Sequence, residues 1–470
     1  MKRNKRWLFA AMIMALTAAG LGGFLVGLAQ SPQPRSALSG LAHVAALSNV
    51  TAGPAQSTTA AGGPSDTKRP SARGGAGSGS AQVATAGSYS SAASGSQARR
   101  EPEPAQERIR ACDSVAAGYA RCHAILTRPA GKPTFVGTVP HGYNPADLQQ
   151  AYKLPSTSAG ASQTVAIVDA FDDPEAESDL AVYRSEFHLP ACTTANGCFR
   201  KVAQDGSTNF PRPNGGWAQE ISLDLDMVSA VCQNCHIILV EANTASLMDL
   251  LAAVDEAAGL GATVISNSYG AAEFSAETSF DGHFNRPGIA ITASSGDAGF
   301  GVQYPAASRY VTAVGGTSLT RATNPADPRG WSETVWSGTG SGCSAFEPLA
   351  SWQASNPNVA GVCSHRATAD VSAVADLNPG VSVFDSFNFH GSRGWLVFGG
   401  TSVSSPIIAS VFALAGGVTT YSASIPYAHS SSLFDITSGG NGICGSILCN
   451  AAPGWDGPTG LGTPDGTGGF

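Results

Sequence analysis

From about residue 164 onward, the chain alternates between short apolar runs and longer segments with apolar residues at helical spacing. The apolar runs predict buried strands at Thr164–Ala170, His236–Ala242, Thr263–Ser266 and Gly288–Ala293. Helical spacing predicts helices at Gln219–Val231 and from Leu247 to a stop at Gly259. Apolar strands separated by helices pack as a parallel sheet covered on both faces. We therefore predict an α/β fold with a doubly wound, mostly parallel sheet and helices on both faces.

A second pattern surrounds Ser402, in the segment Phe398–Gly416 (FGGTSVSSPIIASVFALAG). Gly399-Gly400 permits a tight turn, and Pro406 suits the first turn of the apolar helix that follows. Ser402 is then expected to be exposed at a helix N-terminus, where a nucleophilic hydroxyl benefits from the helix dipole. An N-cap serine is the simpler interpretation, but the full G-T-S-x-x-S-P pattern ahead of a buried helix is more specific.

The composition divides the chain into three parts. Met1–Gln30 has four basic residues among its first six and continues with an apolar run, which predicts a signal peptide or, if uncleaved, an N-terminal membrane anchor. Residues 31–108 are rich in Ala, Gly, Ser and Pro and predict a disordered spacer. A folded domain is expected over residues 109–470. Charged residues are 13% of the chain and the net charge is −8, so no nucleic-acid partner is expected.

All ten cysteines lie in the predicted folded domain and fall into near-neighbour pairs. An even count after an export signal favours disulfides that close short loops, although spacing alone does not fix which cysteines are joined. The C-x-x-C pair Cys232 and Cys235 has no second C-x-x-C beside it, so a structural disulfide is favoured over a zinc or redox site. The neighbour pairs are Cys112/Cys122, Cys192/Cys198, Cys232/Cys235, Cys343/Cys363 and Cys444/Cys449.

Two carboxylates on a predicted helix are candidates for a catalytic base. Glu220 and Asp224 are four residues apart and lie on one helical face, and no Lys or Arg occurs from Gly215 to Val240 to neutralise them. In a buried site they would share a proton, which raises one pKa, and a carboxylate could then accept a proton from Ser402 in acid. An ordinary solvated acidic helix face is the alternative, with Ile221, Leu225 and Val228 as its apolar stripe.

A third carboxyl group, that of Asp297, follows a predicted strand in the Gly-flanked loop Ser294–Gly299 (SSGDAG). A turn role is the default for such a residue, but a protonated Asp297 could donate a hydrogen bond to an oxyanion. None of the nine histidines occurs in the H-G-T-H setting of a histidine-based triad. A serine peptidase with a histidine base nevertheless remains an alternative.

Together these motifs resemble the sedolisin family, the serine-carboxyl peptidases with a subtilisin-like fold. The resemblance runs from about Tyr143 to Gly462 and rests on five motifs in order. These are GYNPADLQQAYKLP (Gly142–Pro155), EISLD (Glu220–Asp224), SSGDAG (Ser294–Gly299), YPAASRYVTAVGGTSL (Tyr304–Leu319) and GGTSVSSP (Gly399–Pro406).

The resemblance implies a role for each candidate residue. Ser402 would be the nucleophile, Glu220 the general base, Asp224 the carboxyl that orients it and Asp297 the oxyanion donor, with Asp169 in a supporting hydrogen-bond network. It also implies a structural Ca²⁺ site. Its ligands would be the side chains of Asp435 and Asp456 and the carbonyls of Ile436, Ala452 and Gly454, although the family usually has Gly where Ala452 stands.

One feature departs from the family pattern. Sedolisins commonly carry a large folded propeptide, whereas low-complexity sequence precedes the catalytic domain here. We expect a secreted, or cell-surface-anchored, monomeric endopeptidase that acts in acid on proteins and peptides through a Ser402 acyl-enzyme. The alternative from another class is a catalytically silent relative that acts as an extracellular binding or structural protein. Its main support is the low-complexity sequence in the place of a folded propeptide, together with the length of the spacer.

Overall fold

The computed structural model describes residues 105–324 and 326–470, so the predicted signal peptide or anchor and nearly all of the predicted spacer lie outside the described residues. The strands are β1 (Gln106–Arg110), β2 (Arg121–Cys122), β3 (Ile125–Pro129), β4 (Phe135–Gly137), β5 (Thr164–Ala170), β6 (Phe199–Ala203), β7 (His236–Ala242), β8 (Val264–Asn267), β9 (Tyr269–Ala272), β10 (Ala290–Ser294), β11 (Gln303–Tyr304), β12 (Thr312–Arg321), β13 (Trp331–Val335), β14 (Gly342–Pro348), β15 (His365–Thr368), β16 (Val371–Val374), β17 (Val381–Phe389), β18 (Ser392–Gly399), β19 (Leu433–Phe434) and β20 (Thr463–Pro464). The α-helices are α1 (Pro145–Ala151), α2 (Ala176–Glu186), α3 (Gly215–Val231), α4 (Leu247–Gly259), α5 (Ser351–Ala354), α6 (Pro357–Ala360), α7 (Thr401–Leu414) and α8 (Ser424–Ala428).

The central sheet has eight strands, ordered β13-β12-β10-β8-β5-β7-β6, with β16 also paired to β12. All neighbours are parallel except β12 and β13. The residues of β5 from Val165 to Ala170 are all buried, and since successive side chains point to opposite faces, both faces of the sheet are covered. The predicted fold class is confirmed.

Two helices carry most of the candidate site and pack against each other. All 17 residues of α3 and all 14 residues of α7 are buried. A helix that is buried on every side belongs to the interior of a large core. The interpretation of α3 as a solvated acidic face is therefore wrong, because Glu220 and Asp224 lie inside the protein.

A smaller sheet leads directly into α7. Its strands are ordered β1-β3-β18-β17, all antiparallel, and β4 pairs in parallel with β18. Strand β1 begins at Gln106, so residues 106–108, expected to be spacer, form a strand paired with β3. The spacer prediction extended too far because a single polar edge strand has no apolar pattern that would distinguish it.

The described residues contain five disulfides, and each joins a cysteine to the next one along the chain. The five predicted neighbour pairs are thus confirmed, and no cysteine is free in the described part, which holds all ten. Within that part, no helix has both the length and the apolar character needed to cross a membrane.

Candidate active site

Ser402 is the second residue of α7, two residues after the turn at Gly400. Gly400 has a φ of 100°, a conformation that favours glycine, so the double-glycine turn predicted from sequence is present. Two details differ from the prediction. Helix α7 begins at Thr401, which places Pro406 in its second turn, and Ser402 is fully buried rather than exposed. Its hydroxyl donates to the carbonyl oxygen of Ser268 at 3.1 Å.

Glu220 and Asp224 project from α3, whose N-terminus is fixed by Asn214. The Asn214 side chain accepts from the N–H groups of Gly216 and Trp217, so the helix starts at Gly215, four residues before the predicted start. Asp224 Oδ1 accepts from the Ser268 hydroxyl at 2.9 Å. Ser268 therefore contacts both Ser402, through its carbonyl, and Asp224, through its side chain.

The carboxyl groups of Glu220, Asp224 and Asp169 form one buried electrostatic cluster. Burial raises the pKa of Glu220 well above its usual range, the charges of Asp224 and Asp169 raise it further, and the neighbouring Ser402 hydroxyl lowers it in part. Burial followed by the charge of Asp169 likewise raises the pKa of Asp224. Burial raises the pKa of Asp169, at the end of β5, to about 8. The pKa of each of these three groups is therefore shifted in the direction that favours the protonated carboxyl.

Several oxygen atoms of this cluster have no hydrogen-bond partner among the described residues. They are Glu220 Oε1, Asp224 Oδ2 and both carboxyl oxygens of Asp169. No Lys or Arg of the described residues forms an ion pair with these three carboxyl groups. Buried carboxyl oxygens without cations or N–H donors are accommodated when neighbouring carboxyl groups share protons.

Asp297 reaches the N-terminus of α7 from the loop after β10. Its Oδ1 accepts from the backbone N–H of Thr401 at 2.8 Å and from the Thr401 hydroxyl at 2.9 Å. Its Oδ2 has no partner within the described part of the chain. Burial raises the pKa of Asp297 to about 7, against the lowering effect of the Thr401 hydrogen bonds and of Arg110 and Arg121. Below that pH, Oδ2 can carry a proton toward the space beside Ser402.

The sequence did not single out the residues that cover this site. Ala124 donates its N–H to Glu220 Oε2 at 3.0 Å, and Arg110 donates to the carbonyl of Asp297 at 2.9 Å. His123 is fully buried nearby, but its ring contacts Ser294 and Gln303 and does not hydrogen-bond to Ser402. No motif marks residues 110–124, so only the fold reveals their position.

The two loops expected to bind Ca²⁺ lie next to each other. Asp435 Oδ2 accepts from the N–H of Gly454 at 2.8 Å, and Asp456 Oδ2 accepts from the N–H of Ala452 at 3.1 Å. Asp456 is buried, and burial together with the charge of Asp435 raises its pKa to about 7. Neither carboxylate forms an ion pair with a Lys, Arg or His of the described residues. The carbonyl oxygens of Ile436, Ala452 and Gly454 accept no hydrogen bond from any described residue. This set of oxygen donors fits a hard divalent cation.

Comparisons with known proteins agree with this arrangement. The profile of the Subtilase family matches residues 211–422, a range that includes Glu220, Asp224, Asp297 and Ser402. The chain is 29% identical to kumamolisin from Bacillus sp. (strain MN-32) over 411 residues, which cover 76% of this chain and 71% of that protein. It is 27% identical to sedolisin from Pseudomonas sp. (strain 101) over 396 residues, which cover 73% of this chain and 64% of that protein.

A solved structure of Pseudomonas sedolisin, a serine-carboxyl proteinase complexed with two molecules of pseudo-iodotyrostatin, has the same fold. The TM-score is 0.58 with 26% sequence identity, and the match covers 70% of this chain and 96% of the sedolisin chain. The buried serine, the carboxyl cluster and the similarity to these proteins support a serine-type peptidase of the sedolisin type, with a subtilisin-like fold.

Proposed function

We propose that the chain is an acid-acting serine-carboxyl endopeptidase with Ser402 as its nucleophile and Glu220 as its general base. The main support is the cluster of Glu220, Asp224 and Asp169, which is buried beside Ser402 without a cation and is therefore rich in shared protons. A carboxylate in such a cluster can exchange a proton with a hydroxyl at acid pH, where a histidine would already be charged.

The reaction proceeds by acyl transfer to the serine. Ser402 Oγ attacks the carbonyl carbon of the scissile bond while its proton passes to Glu220. Asp224 orients the Glu220 carboxyl group and influences its charge. Glu220 then gives the proton to the departing amine. A water molecule attacks the acyl-enzyme in the reverse sense, with Glu220 again taking and returning the proton. Asp169 extends the shared-proton cluster through its charge interactions with Glu220 and Asp224.

Asp297 stabilises the oxyanion of the tetrahedral intermediates. Its protonated Oδ2 has no other partner among the described residues, and Oδ1 is fixed by Thr401, so the donor is oriented before substrate arrives. Above a pH of about 7 this carboxyl loses its proton and becomes an anion that repels the oxyanion. We therefore expect activity to fall at alkaline pH because Asp297 loses its proton. Activity should also fall at low pH, because a fully protonated Glu220 cluster can no longer accept the proton of Ser402.

A Ca²⁺ ion is proposed for the loops of Asp435 and Asp456, with the carbonyls of Ile436, Ala452 and Gly454. When bound, the ion would neutralise the two neighbouring carboxylates and fix both loops. We also propose export from the cell, because five disulfides require an oxidising compartment and the N-terminal sequence has the pattern of a signal.

The test is hydrolysis of a denatured protein by the full chain from about pH 2 to about pH 8, beside the variants Ser402→Ala and Glu220→Gln. Both should reduce acid-side activity by about 10²-fold or more. The matched controls are Ser410→Ala, at a buried serine of the same helix, and Glu186→Gln, at an exposed end of α2. These should leave activity unchanged.

Other results would support the alternatives. Activity that is greatest near neutral pH and survives Glu220→Gln would favour a histidine-based subtilase. A folded chain, with a cooperative thermal transition, that hydrolyses nothing at any pH would favour the catalytically silent relative.

A further inference from the structure

Ser268 is a single buried residue between β8 and β9, and it contacts both parts of the candidate catalytic machinery. It lies at the carboxyl end of β8, the edge of a parallel sheet where active residues gather. Its carbonyl oxygen accepts from the Ser402 hydroxyl at 3.1 Å, and its own hydroxyl donates to Asp224 Oδ1 at 2.9 Å. One residue therefore links the nucleophile to the carboxyl pair that receives its proton.

The Ser268 hydroxyl is the one hydrogen-bond donor that Asp224 has in the described part of the chain. Asp224 Oδ2 has no partner there, and no Lys or Arg of those residues forms an ion pair with this carboxyl group. Glu220 accepts from the Ala124 N–H, and Asp169 accepts from no described residue. Within the carboxyl cluster, Ser268 thus serves Asp224 alone.

The direction of this hydrogen bond follows from the chemistry of the two groups. An ionised carboxylate only accepts hydrogen bonds, and a serine hydroxyl has a single proton to give. A donor that points at a carboxyl group stabilises its ionised form, because the bond is stronger to a charged acceptor. Ser268 therefore lowers the pKa of Asp224, against the raising effects of burial and of the charge of Asp169.

The titratable groups that interact with the Glu220–Asp224 pair or with its neighbour in the cluster are all acidic. They are Asp169 at the end of β5, Asp297 in the loop after β10 and Tyr269 of β9. Proton transfer from Ser402 requires at least one ionised carboxyl in the pair, and negative charge on any of these acids opposes that ionisation. The neutral Ser268 hydroxyl acts in the opposite direction.

Ser268 is itself held in place by its neighbours in the chain. Asn267 donates to the carbonyl of Thr292 in β10 at 2.9 Å and accepts from the Tyr269 hydroxyl at 2.8 Å. The residues on either side of Ser268 are thus bonded to each other and to the adjacent strand, and all of them are buried. This backbone keeps the Ser268 carbonyl and hydroxyl at constant distances from their two partners, as a positioning residue requires.

We propose that Ser268 is a positioning residue of the peptidase, whose hydroxyl stabilises the negative charge of the Glu220–Asp224 pair and thereby sets the lowest pH at which the pair accepts the Ser402 proton. This rests on the proposed function. The Ser268 carbonyl holds the nucleophile in register with the pair, so both ends of the proton-transfer path depend on one residue.

The experiment measures kcat and KM of the full chain and of Ser268→Ala on one peptide substrate from about pH 2 to about pH 8. Without the hydroxyl, the ionised pair loses a hydrogen bond to a charged group, so the acid side of the kcat/KM profile should move up by about 1 pH unit. On that side, activity at a fixed pH should fall about 10-fold. Activity at the optimum should change less, and KM should stay within about 3-fold, because the backbone carbonyl remains.

Two further variants separate this role from a structural one. Ser268→Thr retains a hydroxyl and should restore the acid side to its wild-type pH, even where the added methyl group lowers activity at every pH. The matched control is Ser266→Ala, at a buried serine of β8 whose hydroxyl contacts Ser405 instead, and it should not move the profile along the pH axis.

A cooperative thermal transition checks the folding of each variant. If Ser268→Ala does not fold, Ser268→Cys takes its place, because a thiol is only a weak donor, and the same shift is expected.

Each remaining outcome contradicts the inference. A loss of activity by the same factor at every pH, or an acid side that stays at its wild-type pH, would overturn the role of Ser268. It would leave the proposed function intact, provided that Ser402→Ala and Glu220→Gln still remove acid-side activity. An equal shift in Ser266→Ala would overturn the role of Ser268 as well. A folded wild-type chain that hydrolyses nothing would overturn both this inference and the proposed function.

Discussion

At the scale of single residues, the carboxyl groups around Ser402 differ in what surrounds their oxygens. Asp297 is fixed on one side by two hydrogen bonds from Thr401 and is open on the other. Glu220 and Asp224 each have one oxygen bonded and one without a partner in the described residues, and Asp169 has neither oxygen bonded there. Groups that stay protonated can act as donors at a pH where an exposed aspartate would be an anion.

Asp297 gives the sharpest prediction at this scale. In Asp297→Asn, the amide oxygen can accept from Thr401 and the NH₂ can donate at every pH. We expect this variant to keep acid-side activity within about 10-fold and to lose the decline that the wild type shows above a pH of about 7. Asp297→Ala should be about 10²- to 10³-fold slower at every pH. If Asp297→Asn still loses activity above a pH of about 7, a group other than Asp297 causes that decline. The measurement is kcat/KM against pH.

The residue types of the site could be predicted from the sequence, but their surroundings could not. Motifs around Ser402, Glu220, Asp224 and Asp297 identified the candidates, and the structure brings their side chains together. The burial of Ser402 was missed because it depends on residues far away in sequence, including Ala124 and Ser268. His123 carries no local signal, since its hydrogen-bond partners Ser294 and Gln303 are more than 170 positions away in the sequence.

At the scale of elements, the junction of β18 and α7 positions the nucleophile, and Gly400 makes that junction possible. Its φ is 100°, and a Cβ there would collide with the carbonyl oxygen of His123. Gly416 also has a φ of 100°, but a Cβ there would meet nothing within 4 Å. Comparing an alanine substitution at each of the two glycines therefore distinguishes the effect of backbone strain from the effect of steric crowding in the site.

We predict that Gly416→Ala lowers the free energy of unfolding by about 1–2 kcal/mol through its positive φ, and that Gly400→Ala lowers it by more, because the added Cβ also collides with the His123 carbonyl oxygen. Only Gly400→Ala should also reduce kcat/KM, by about 10²-fold, because its added Cβ would lie 2.6 Å from Asp297 Oδ2 and displace the proposed oxyanion donor. Chemical denaturation and hydrolysis assays on the two variants check this. Equal activity in both would show that Gly400 serves only the backbone turn.

The loops of Asp435 and Asp456 are the second element with a testable role. If they bind Ca²⁺, chelation should lower the Tm of the Ser402→Ala chain by about 5 °C or more, and added Ca²⁺ should restore it. Asp456→Asn should lower the Tm and abolish its dependence on chelator. Asp465→Asn, at a half-exposed residue paired with Lys153, is the control and should keep that dependence. A Tm that does not respond to chelator in the parent chain would contradict the calcium site.

Element boundaries followed from sequence wherever the pattern was strong. Strands β5 and β7 and helix α4 match their predicted bounds, because each is an unbroken apolar or periodic run. Helix α3 starts four residues early because an asparagine cap, not an apolar residue, defines its first turn. Helix α7 includes Pro406 beyond its first turn, a position that a helix interior normally disfavours and that the rule for proline did not predict.

At the scale of the whole molecule, the buried carboxyl groups link stability to pH. A group whose pKa is higher in the folded state binds its proton more tightly there. Its contribution to the free energy of unfolding is complete below the pKa of the unfolded state and is lost as the pH rises through the pKa of the folded state. For Asp169 this window runs from 3.8 to about 8. The protein should therefore be more stable in acid than at neutral pH.

We predict that Asp169→Asn, made in a Ser402→Ala chain to prevent self-cleavage, is more stable than its parent at neutral pH. The gain should be a few kcal/mol, at most roughly 4 at neutral pH, and should vanish near pH 4. The control Asp113→Asn, at an exposed residue, should not change the pH dependence. Urea unfolding at several pH values measures this. A parent chain with constant stability from about pH 4 to about pH 8 would mean that the cluster is ionised in the folded protein.

The pairing of cysteines has a consequence for how the chain acquires its covalent form. Each cysteine is joined to the next one in sequence, at separations of 3 to 20 residues. A chain that is oxidised as it emerges in order from a ribosome or translocon can therefore complete every bond before the following pair appears. Native connectivity then arises by simple succession, without a reshuffling step, and a missing cysteine would leave only its own neighbour unpaired.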